Sequence, residues 1–272
     1  MRTALMTLAL AACAAKEQGD IRHARLRTTP LTNGVPPSES PTTKTPTDTE
    51  TTYVPTTTGD PPWGVDVSHW QGDIDFEAMA DGGFSFVYAK STEGTYYIDD
   101  AFPEESGGAF DAGMYRGAYH FAIPNDSSGA EQAEFFIDNG GGWIDDGQTM
   151  PGVLDIEWNP NSGNDCYDMS QSEMEDWIAD FADTYLALTG RDTVIYTSKT
   201  WWNLCVDSPN FTVNPLWVAD WGNATPDLPT GWSTYTFWQV DAYGSVPGVS
   251  GNCDVDVFNG PPSGLRALAL DL

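Results

Sequence analysis

The chain has few positive charges with which to bind an anionic partner. Of its 272 residues only 11 are Lys or Arg, against 40 Asp or Glu. Six of the cations and six of the acids precede residue 61, so the remaining five cations and 34 acids carry the whole formal net charge of −29. Such a surface repels phosphate backbones and anionic lipid, which argues against nucleic acid and bare membrane as partners. We expect the partner to be a neutral or cationic polymer instead, or the protein to act at high salt, where long-range repulsion is screened.

Histidine is scarce as well. The chain has three, and only His69 and His120 follow residue 61. Neither belongs to an H-E-x-x-H or H-x-x-E spacing, which zinc hydrolases use. We therefore expect no metal ion and no cofactor, and we predict that both histidines are hydrogen-bonded structural residues.

The N-terminal apolar run is too short to span a bilayer. Arg2 precedes it and it ends at Ala12, which is the layout of an export signal. Leu10–Cys13 resembles a bacterial lipobox, in which the cysteine is acylated and becomes the mature N-terminus. We predict a lipoprotein-type signal peptide over residues 1–12 and lipidation at Cys13, with a plain secretory peptide as the alternative. The protein would then be exported and anchored at an outer membrane or cell surface, with the lipid as its sole membrane contact, or otherwise be secreted.

Residues 13–60 offer almost nothing to bury. The segment from Pro30 to Thr58 consists mainly of Thr, Pro and Ser. Such a composition cannot offset the entropy lost on ordering, so we predict a disordered tether. We expect one catalytic domain over residues 61–262 and a C-terminal tail over 263–272.

Apolar strand patterns alternate with helical patterns after residue 61. Eight strands are predicted, at Trp63–Val67, Phe84–Lys90, Arg116–Phe121, Gly152–Glu157, Thr193–Thr197, Leu216–Ala219, Thr234–Gln239 and Val255–Phe258. Helices are predicted at Phe76–Met79, Ala130–Asn139 and Ser170–Leu188. Because the later connections are too short for full helices, the pattern predicts an α/β fold, a parallel-type, abbreviated TIM-like (β/α)5(β)3 barrel.

Two acids spaced by one residue stand out in the apolar run 153–158. On a strand, Asp155 and Glu157 share one face, and carboxyl groups roughly 7 Å apart perturb each other's protonation. Barrel enzymes collect their chemistry at the carboxyl ends of strands, where Asp66 ends the first predicted strand and Asp254 and Asp256 flank the last. The pattern predicts an acid/base site; a D-x-E on an exposed edge strand, with two solvated acids, is the alternative.

Seven short motifs occur in order along this domain. They are D-x-S-x-x-Q from Asp66, A-K-S-T-E-G from Ala89, Y-H-F from Tyr119, L-D-I-E from Leu154, L-W-V-A from Leu216, F-W-Q from Phe237 and D-x-D-V-F-N-G from Asp254. Together they resemble glycoside hydrolase family 25, the Chalaropsis-type lysozymes or N-acetylmuramidases, over about residues 61–260. The resemblance implies an abbreviated β/α barrel that hydrolyses the glycan strands of bacterial peptidoglycan. Asp220-Trp221 departs from the family, which more often has a non-acidic residue and then Tyr.

The same resemblance implies roles for the four acids. Glu157 would be the general acid that protonates the departing glycosidic oxygen. Asp155 would hold the acetamido group or stabilise positive charge at the anomeric carbon, and Asp66 and Asp254 would line the same pocket. The nucleophile of the second step is either an enzyme carboxylate or the substrate's own acetamido oxygen.

Further substrate contacts are expected from side chains near the strand ends. Flat aromatic faces stack on sugar rings, and the candidates for this are Tyr119, Tyr196, Trp217, Trp238 and Trp70. Gln239 is a candidate hydrogen bonder to the substrate. Lys90 and Glu93 either contact the substrate or pair with each other.

Cysteine use bears on the covalent framework. Cys166 and Cys205 fall in neighbouring loops on one rim, so we pair them, a bridge that also resembles one in some family 25 members, and leave Cys253 as a buried thiol. We expect a monomer whose partner is peptidoglycan. An inactive barrel that only binds cell wall, and a chitinase-like glycosidase, are the alternative functions.

Overall fold

Nine strands form one sheet that closes on itself. The computed structural model describes residues 61–161 and 164–272, so the predicted signal peptide, Cys13 and the tether lie outside the described residues. The strands are β1 Trp63–Val67, β2 Phe84–Glu93, β3 Tyr97–Ile98, β4 Tyr115–Phe121, β5 Val153–Asp155, β6 Val194–Ser198, β7 Leu216–Ala219, β8 Phe237–Gly244 and β9 Cys253–Phe258. Their order is β1-β9-β8-β7-β6-β5-β4-β2-β3, and β1 also pairs with β2, which closes a barrel of eight strands. The short β3 is an antiparallel addition to the end of β2.

The barrel is mixed, which differs from the parallel type that the sequence suggested. Neighbours from β1 through β2, β4, β5, β6 and β7 to β8 are parallel, whereas β9 runs antiparallel to both β8 and β1. The α/β barrel prediction is confirmed, with β9 as the reversed closing strand. Because β9 is reversed, its first residues, not its last, lie at the same end as the carboxyl ends of the other strands. We call that end the mouth.

Helices cover the outside of the sheet, except the last one, which packs against the barrel interior. They are α1 Phe76–Asp81, α2 Phe102–Asp111, α3 Gly129–Phe136, α4 Gln171–Thr189, α5 Lys199–Cys205 and α6 Pro262–Leu270; a 3-10 turn spans His69–Gln71 and a π turn Ile137–Gly141. The sequence did not predict α2, α5 or α6. Residues 263–272, expected to be a tail, contain most of α6, whose Leu265 and Ala269 are buried in the barrel interior.

The long helix α4 shows how local sequence sets an element. Ser170 caps it by accepting a hydrogen bond from the Glu173 backbone N–H, and the Glu173 side chain bonds back to Ser170. The helix ends at Gly190, whose φ of 75° a side chain would disfavour. Its buried face, with Trp177 and Phe181 among others, packs in the outer core between helices and sheet. The caps at both ends therefore fix where α4 begins and ends, and burial of one face holds it against the sheet.

Large rings fill the barrel interior. Phe86, Tyr88, Trp217, Phe237 and Phe258 pack there with centroid distances of 5.1 to 6.2 Å. A Cβ at Gly64 would clash with the ring of Phe86, which explains why β1 carries glycine at that inward position. Packed rings thus fill the interior, and polar side chains lie between them and the mouth.

Candidate active site

The predicted acids converge on the mouth. Asp66 near the end of β1 is the register partner of Asp254 at the start of β9. Asp155 ends β5, and both Asp66 and Asp155 are buried while Asp254 is half-buried. Glu157 is half-buried and lies two residues beyond β5, because the strand stops at Asp155 and not at Glu157 as predicted. Strand alternation therefore does not by itself set the relation of Glu157 to Asp155.

Gln239 orients Asp66. The Gln239 Nε2 donates to Asp66 Oδ2 at 2.7 Å. The Oε1 of the same amide accepts from the Tyr196 hydroxyl at 2.9 Å and from Trp221 Nε1 at 3.1 Å, which fixes which end of the amide faces Asp66. Burial raises the pKa of Asp66 to about 6, although side-chain hydrogen bonds with Gln239, Asp256 and Asp254 act in the opposite direction. Asp66 therefore changes charge near neutral pH.

Asp256 also belongs to this site, although the family resemblance implied no role for it. It lies two residues along β9 from Asp254 and is 0% exposed. Its register partner on the neighbouring strand β8 is Gln239. Asp256 Oδ1 accepts a hydrogen bond from Trp217 Nε1 at 2.9 Å. Burial, followed by the charges of Asp66 and Asp254, raises its pKa well above the ordinary range. The spacing of Asp254 and Asp256 on one strand face was the signal that this acid also points inward.

Two of the expected sugar platforms, Trp217 and Tyr196, are buried. Trp217 is 2% exposed, because strand alternation places it inside the barrel, so it has no face for a sugar and serves as the donor to Asp256. Tyr196 is buried, and its hydroxyl bonds to Gln239. Tyr119 and Trp238 are half-buried; Trp238 donates from Nε1 to the Asp220 carbonyl at 2.8 Å.

Trp70 is the most exposed of the aromatic candidates. It follows β1 in the 3-10 turn and is 37% exposed. Its ring centroid lies 4.6 Å from that of His69. His69 in turn contacts Asp99 Oδ2 at 2.7 Å and the Tyr97 hydroxyl at 3.0 Å through Nδ1. This backing holds the indole in place beside the strand that carries Asp66.

Lys90 and Glu93 pair with each other at the end of β2. The Lys90 Nζ lies 2.9 Å from Glu93 Oε2, and both side chains are buried. Tyr96 donates to Glu93 Oε1 at 2.7 Å. These bonds favour the structural one of the two roles that the sequence left open.

The second histidine lies in the outer core. His120 is fully buried between Thr92 Oγ1 at 2.8 Å and Gln132 Oε1 at 2.9 Å. Burial lowers the pKa of His120 to about 4, so the ring is neutral at physiological pH. These contacts give it the structural role that the sequence indicated.

The cysteine pairing is confirmed. Cys166 and Cys205 form a disulfide with their Cα atoms 5.3 Å apart. Cys253 is a buried thiol whose Sγ lies 3.9 Å from the Asp66 carbonyl oxygen. The bridge joins the segment before α4 to the last residue of α5.

Within residues 61–161 and 164–272, no three or more His, Cys, Asp or Glu side chains are grouped so that they could hold a metal ion. The helices of that same part include none with the length and apolar character needed to cross a membrane.

Comparison with known proteins identifies relatives of this chain. The model of the glycosyl hydrolases family 25 matches residues 65–249. Lysozyme M1 of Streptomyces globisporus is 53% identical over 208 residues, which are 76% of this chain and 70% of that protein. The N,O-diacetylmuramidase of Chalaropsis sp is 41% identical over 201 residues, 70% of this chain and 95% of that protein.

Solved structures agree with the sequence comparison. The bacterial lysozyme from Streptomyces coelicolor has 50% sequence identity and a TM-score of 0.77, over 78% of this chain and 98% of that one. The muramidase from Acremonium alcalophilum has 47% identity and a TM-score of 0.74, over 78% and 100%. The fold, the acids at its mouth and these matches lead to one conclusion: the chain belongs to glycoside hydrolase family 25.

Proposed function

We propose that this chain is a lysozyme, a 1,4-β-N-acetylmuramidase that hydrolyses the glycan strands of bacterial peptidoglycan. The observation that carries the proposal is the placement of Asp66, Asp155 and Asp254 at one mouth of a family 25 barrel, with Glu157 just beyond β5. Relatives named lysozyme and N,O-diacetylmuramidase support the choice of substrate.

Glu157 is the general acid in this proposal. It is half-buried, so it can reach a substrate oxygen while keeping one side against protein. Protonating the departing glycosidic oxygen lets the bond break without forming a sugar alkoxide. Positive charge then develops at the anomeric carbon, where Asp155 either stabilises it or holds the neighbouring acetamido group.

Asp66 and Asp254 complete the negative lining of the pocket. Gln239 fixes the Asp66 carboxyl through a 2.7 Å hydrogen bond, so its orientation does not depend on bound sugar. A charge that is held in place before the reaction stabilises the transition state without reorganisation. Gln239 thus acts on the substrate through Asp66, although the sequence suggested that it contacts the sugar itself.

Sugar stacking falls to the aromatic side chains that keep accessible surface. Trp70 is the strongest candidate, and Tyr119 and Trp238 are half-buried. A flat ring presented to pyranose C–H groups adds affinity without charge, which suits a surface rich in carboxylates.

Location and assembly complete the proposal. We place the protein outside the cytoplasm, anchored through an acylated Cys13, with residues 13–60 as a spacer between lipid and barrel. The enzyme acts as a monomer. The family of the barrel supports this setting, because its substrate lies outside the cell membrane.

A turnover assay tests the function. Purified peptidoglycan should be degraded by the wild type, while chitin oligomers should not. Glu157→Gln should fold normally and lose at least ~10²-fold in rate, the usual scale for a general acid. Asp155→Asn should lower kcat severely, whereas a raised KM alone would make Asp155 a binding residue. Binding of peptidoglycan without turnover by the wild type would favour an inactive cell-wall module, and preference for chitin a chitinase-like enzyme.

A further inference from the structure

A buried carboxyl group lies beneath the mouth without a cation to neutralise it. Within the described ranges 61–161 and 164–272, no Lys, Arg or His contacts either oxygen of Asp256. Its Oδ1 accepts from Trp217, whereas Oδ2 is buried and accepts from no N–H or O–H group. One donor does not offset the desolvation of a carboxylate in such a place. A protonated Asp256 avoids that cost. It needs only one acceptor for its proton, whereas a buried carboxylate needs several hydrogen-bond donors.

Asp66 supplies that acceptor. In the antiparallel register of β1 and β9, Asp256 faces Gly64 and Asp254 faces Asp66, so Asp66 and Asp256 lie diagonally across the two strands. Their inward-facing carboxyl groups are thus neighbours, and a hydrogen bond from a protonated Asp256 would stabilise both its own proton and the negative charge on Asp66. The ionised Asp66 would then accept two hydrogen bonds, one from Asp256 and one from Gln239 Nε2 to its Oδ2.

We propose that Asp256 is a positioning residue that stays protonated and donates this hydrogen bond to Asp66, which keeps Asp66 ionised and oriented at the mouth. Asp256 touches no substrate, because it is 0% exposed, and acts through Asp66. The proposal rests on the proposed muramidase function for one point: the Asp66 charge faces the positive charge that develops on the sugar.

Burial and the acidic groups around Asp256 favour its neutral form, whereas the Trp217 hydrogen bond acts in the opposite direction. The titratable groups are Asp66 on β1, Asp254 on β9 and Tyr88 on β2. The two acids carry negative charge that opposes ionisation of Asp256. Tyr88 donates its hydroxyl to the Pro151 carbonyl, and burial raises its pKa well above the ordinary range, so it stays neutral. Trp217 and Gln239, from β7 and β8, carry no titratable group.

Carbon-13 NMR of the aspartate carboxyl groups tests the protonation states directly. The Asp256 signal, identified by its absence from Asp256→Asn, should still be that of a protonated acid at pH values where the Asp66 signal has already moved to the ionised position. The signal missing from Asp66→Asn should titrate near pH 6. An Asp256 signal that ionises before Asp66 or together with it would overturn the proposal. This readout needs no activity, so it separates the proposal from the proposed function.

Two variants test the hydrogen bond. Asn at 256 offers an N–H to Asp66 and an oxygen to Trp217, so Asp256→Asn should retain at least about a third of the wild-type kcat and keep the acidic limb of the pH–rate profile within about 0.3 units. Leu keeps the volume but lacks the donor. Asp256→Leu should lose at least about 10-fold in kcat and move the acidic limb to higher pH, because Asp66 without its donor ionises later.

Equal losses in Asp256→Asn and Asp256→Leu would show that the charge of Asp256, not its proton, is what matters, and would contradict the proposal. Should Asp256→Leu not fold, the Asn variant and the NMR titration still decide. Glu105→Gln is the matched control: it also removes a buried carboxyl group, but one on α2 that is not among the groups hydrogen-bonded to Asp66, and it should leave the acidic limb in place.

Discussion

Gln239 and Asp66, 173 residues apart in the chain, are joined by a 2.7 Å hydrogen bond at the mouth of the barrel. The bond exists because β8 and β1 both flank the reversed strand β9, so closure of the barrel brings the two side chains to the same level. Tyr196 and Trp221 hold the other end of the amide, which leaves Nε2 free to serve Asp66 alone.

Loss of this donor should shift the pH dependence of the reaction. In Gln239→Leu, Asp66 loses one of the groups that lower its pKa from the burial-raised range, so the pKa rises above about 6. The acidic limb of kcat/KM should move to higher pH and kcat should fall about 10-fold. Gln239→Glu is a poor substitute, because it adds a further acid beside Asp66. An acidic limb that stays in place or moves to lower pH would contradict the assigned role.

Glu105 should make the protein less stable as pH rises. It lies on α2, is 3% exposed, and neither of its oxygens has a hydrogen-bond partner among the described residues. Burial, with smaller contributions from Asp99 and Glu104, raises its pKa to about 8. Below its ordinary pKa of 4.5 the group is neutral in both folded and unfolded chains, whereas between 4.5 and about 8 only the unfolded chain ionises.

Glu105→Gln should therefore match the wild type in stability near pH 4. Its free energy of unfolding should exceed that of the wild type by an amount that grows with pH to roughly 4 kcal/mol near pH 8. Denaturant titrations at several pH values measure this. Glu104→Gln, on the same helix but exposed, is the control and should show little change. A pH-independent difference for Glu105→Gln would show that its carboxyl group titrates normally.

The disulfide should contribute measurably to stability. It closes a loop of 39 residues, and replacing both Cys166 and Cys205 by Ser should lower the free energy of unfolding by about 3 kcal/mol. Reductant should lower the melting temperature of the wild type and leave that of the double variant unchanged. Non-reducing peptide maps that link Cys166 to Cys253 would contradict the pairing.

Lipidation at Cys13 predicts a difference in partitioning. The full-length protein should appear in the membrane fraction and incorporate a labelled fatty acid, whereas Cys13→Ser should do neither. Cys253→Ser keeps the anchor and controls for loss of a thiol. Equal solubility of the wild type and Cys13→Ser would favour an ordinary secreted enzyme.

The sequence predicted the strands well because burial on both faces leaves little choice of conformation. Leu216–Ala219 agrees to the residue, and Trp63–Val67 does as well. The helix α2 was missed because Pro103, Gly107 and Gly108 are weak helix formers, and only its packing against the sheet makes the segment helical. Helix α6 was taken for a tail, since its use as the floor of the barrel depends on contacts far away in sequence.

The sequence predicted that the acids would lie at the mouth, but it did not predict which way the aromatic side chains face. The four acids follow from motifs and strand ends, but which way an aromatic side chain faces depends on strand register. Trp217 ends up inside, beneath the mouth, where its N–H meets Asp256. A residue's type indicates that it can stack on sugar; only the closed barrel decides whether its face is open.

The bond that the enzyme cuts is the most direct test of the account. Mass analysis of the saccharides released from purified peptidoglycan identifies the sugar at each new reducing end. We expect N-acetylmuramic acid at every new end, formed by the wild type and reduced at least ~10²-fold with Glu157→Gln. New ends that carry N-acetylglucosamine, or equal release by the Glu157→Gln variant, would contradict the proposed muramidase activity and its general acid.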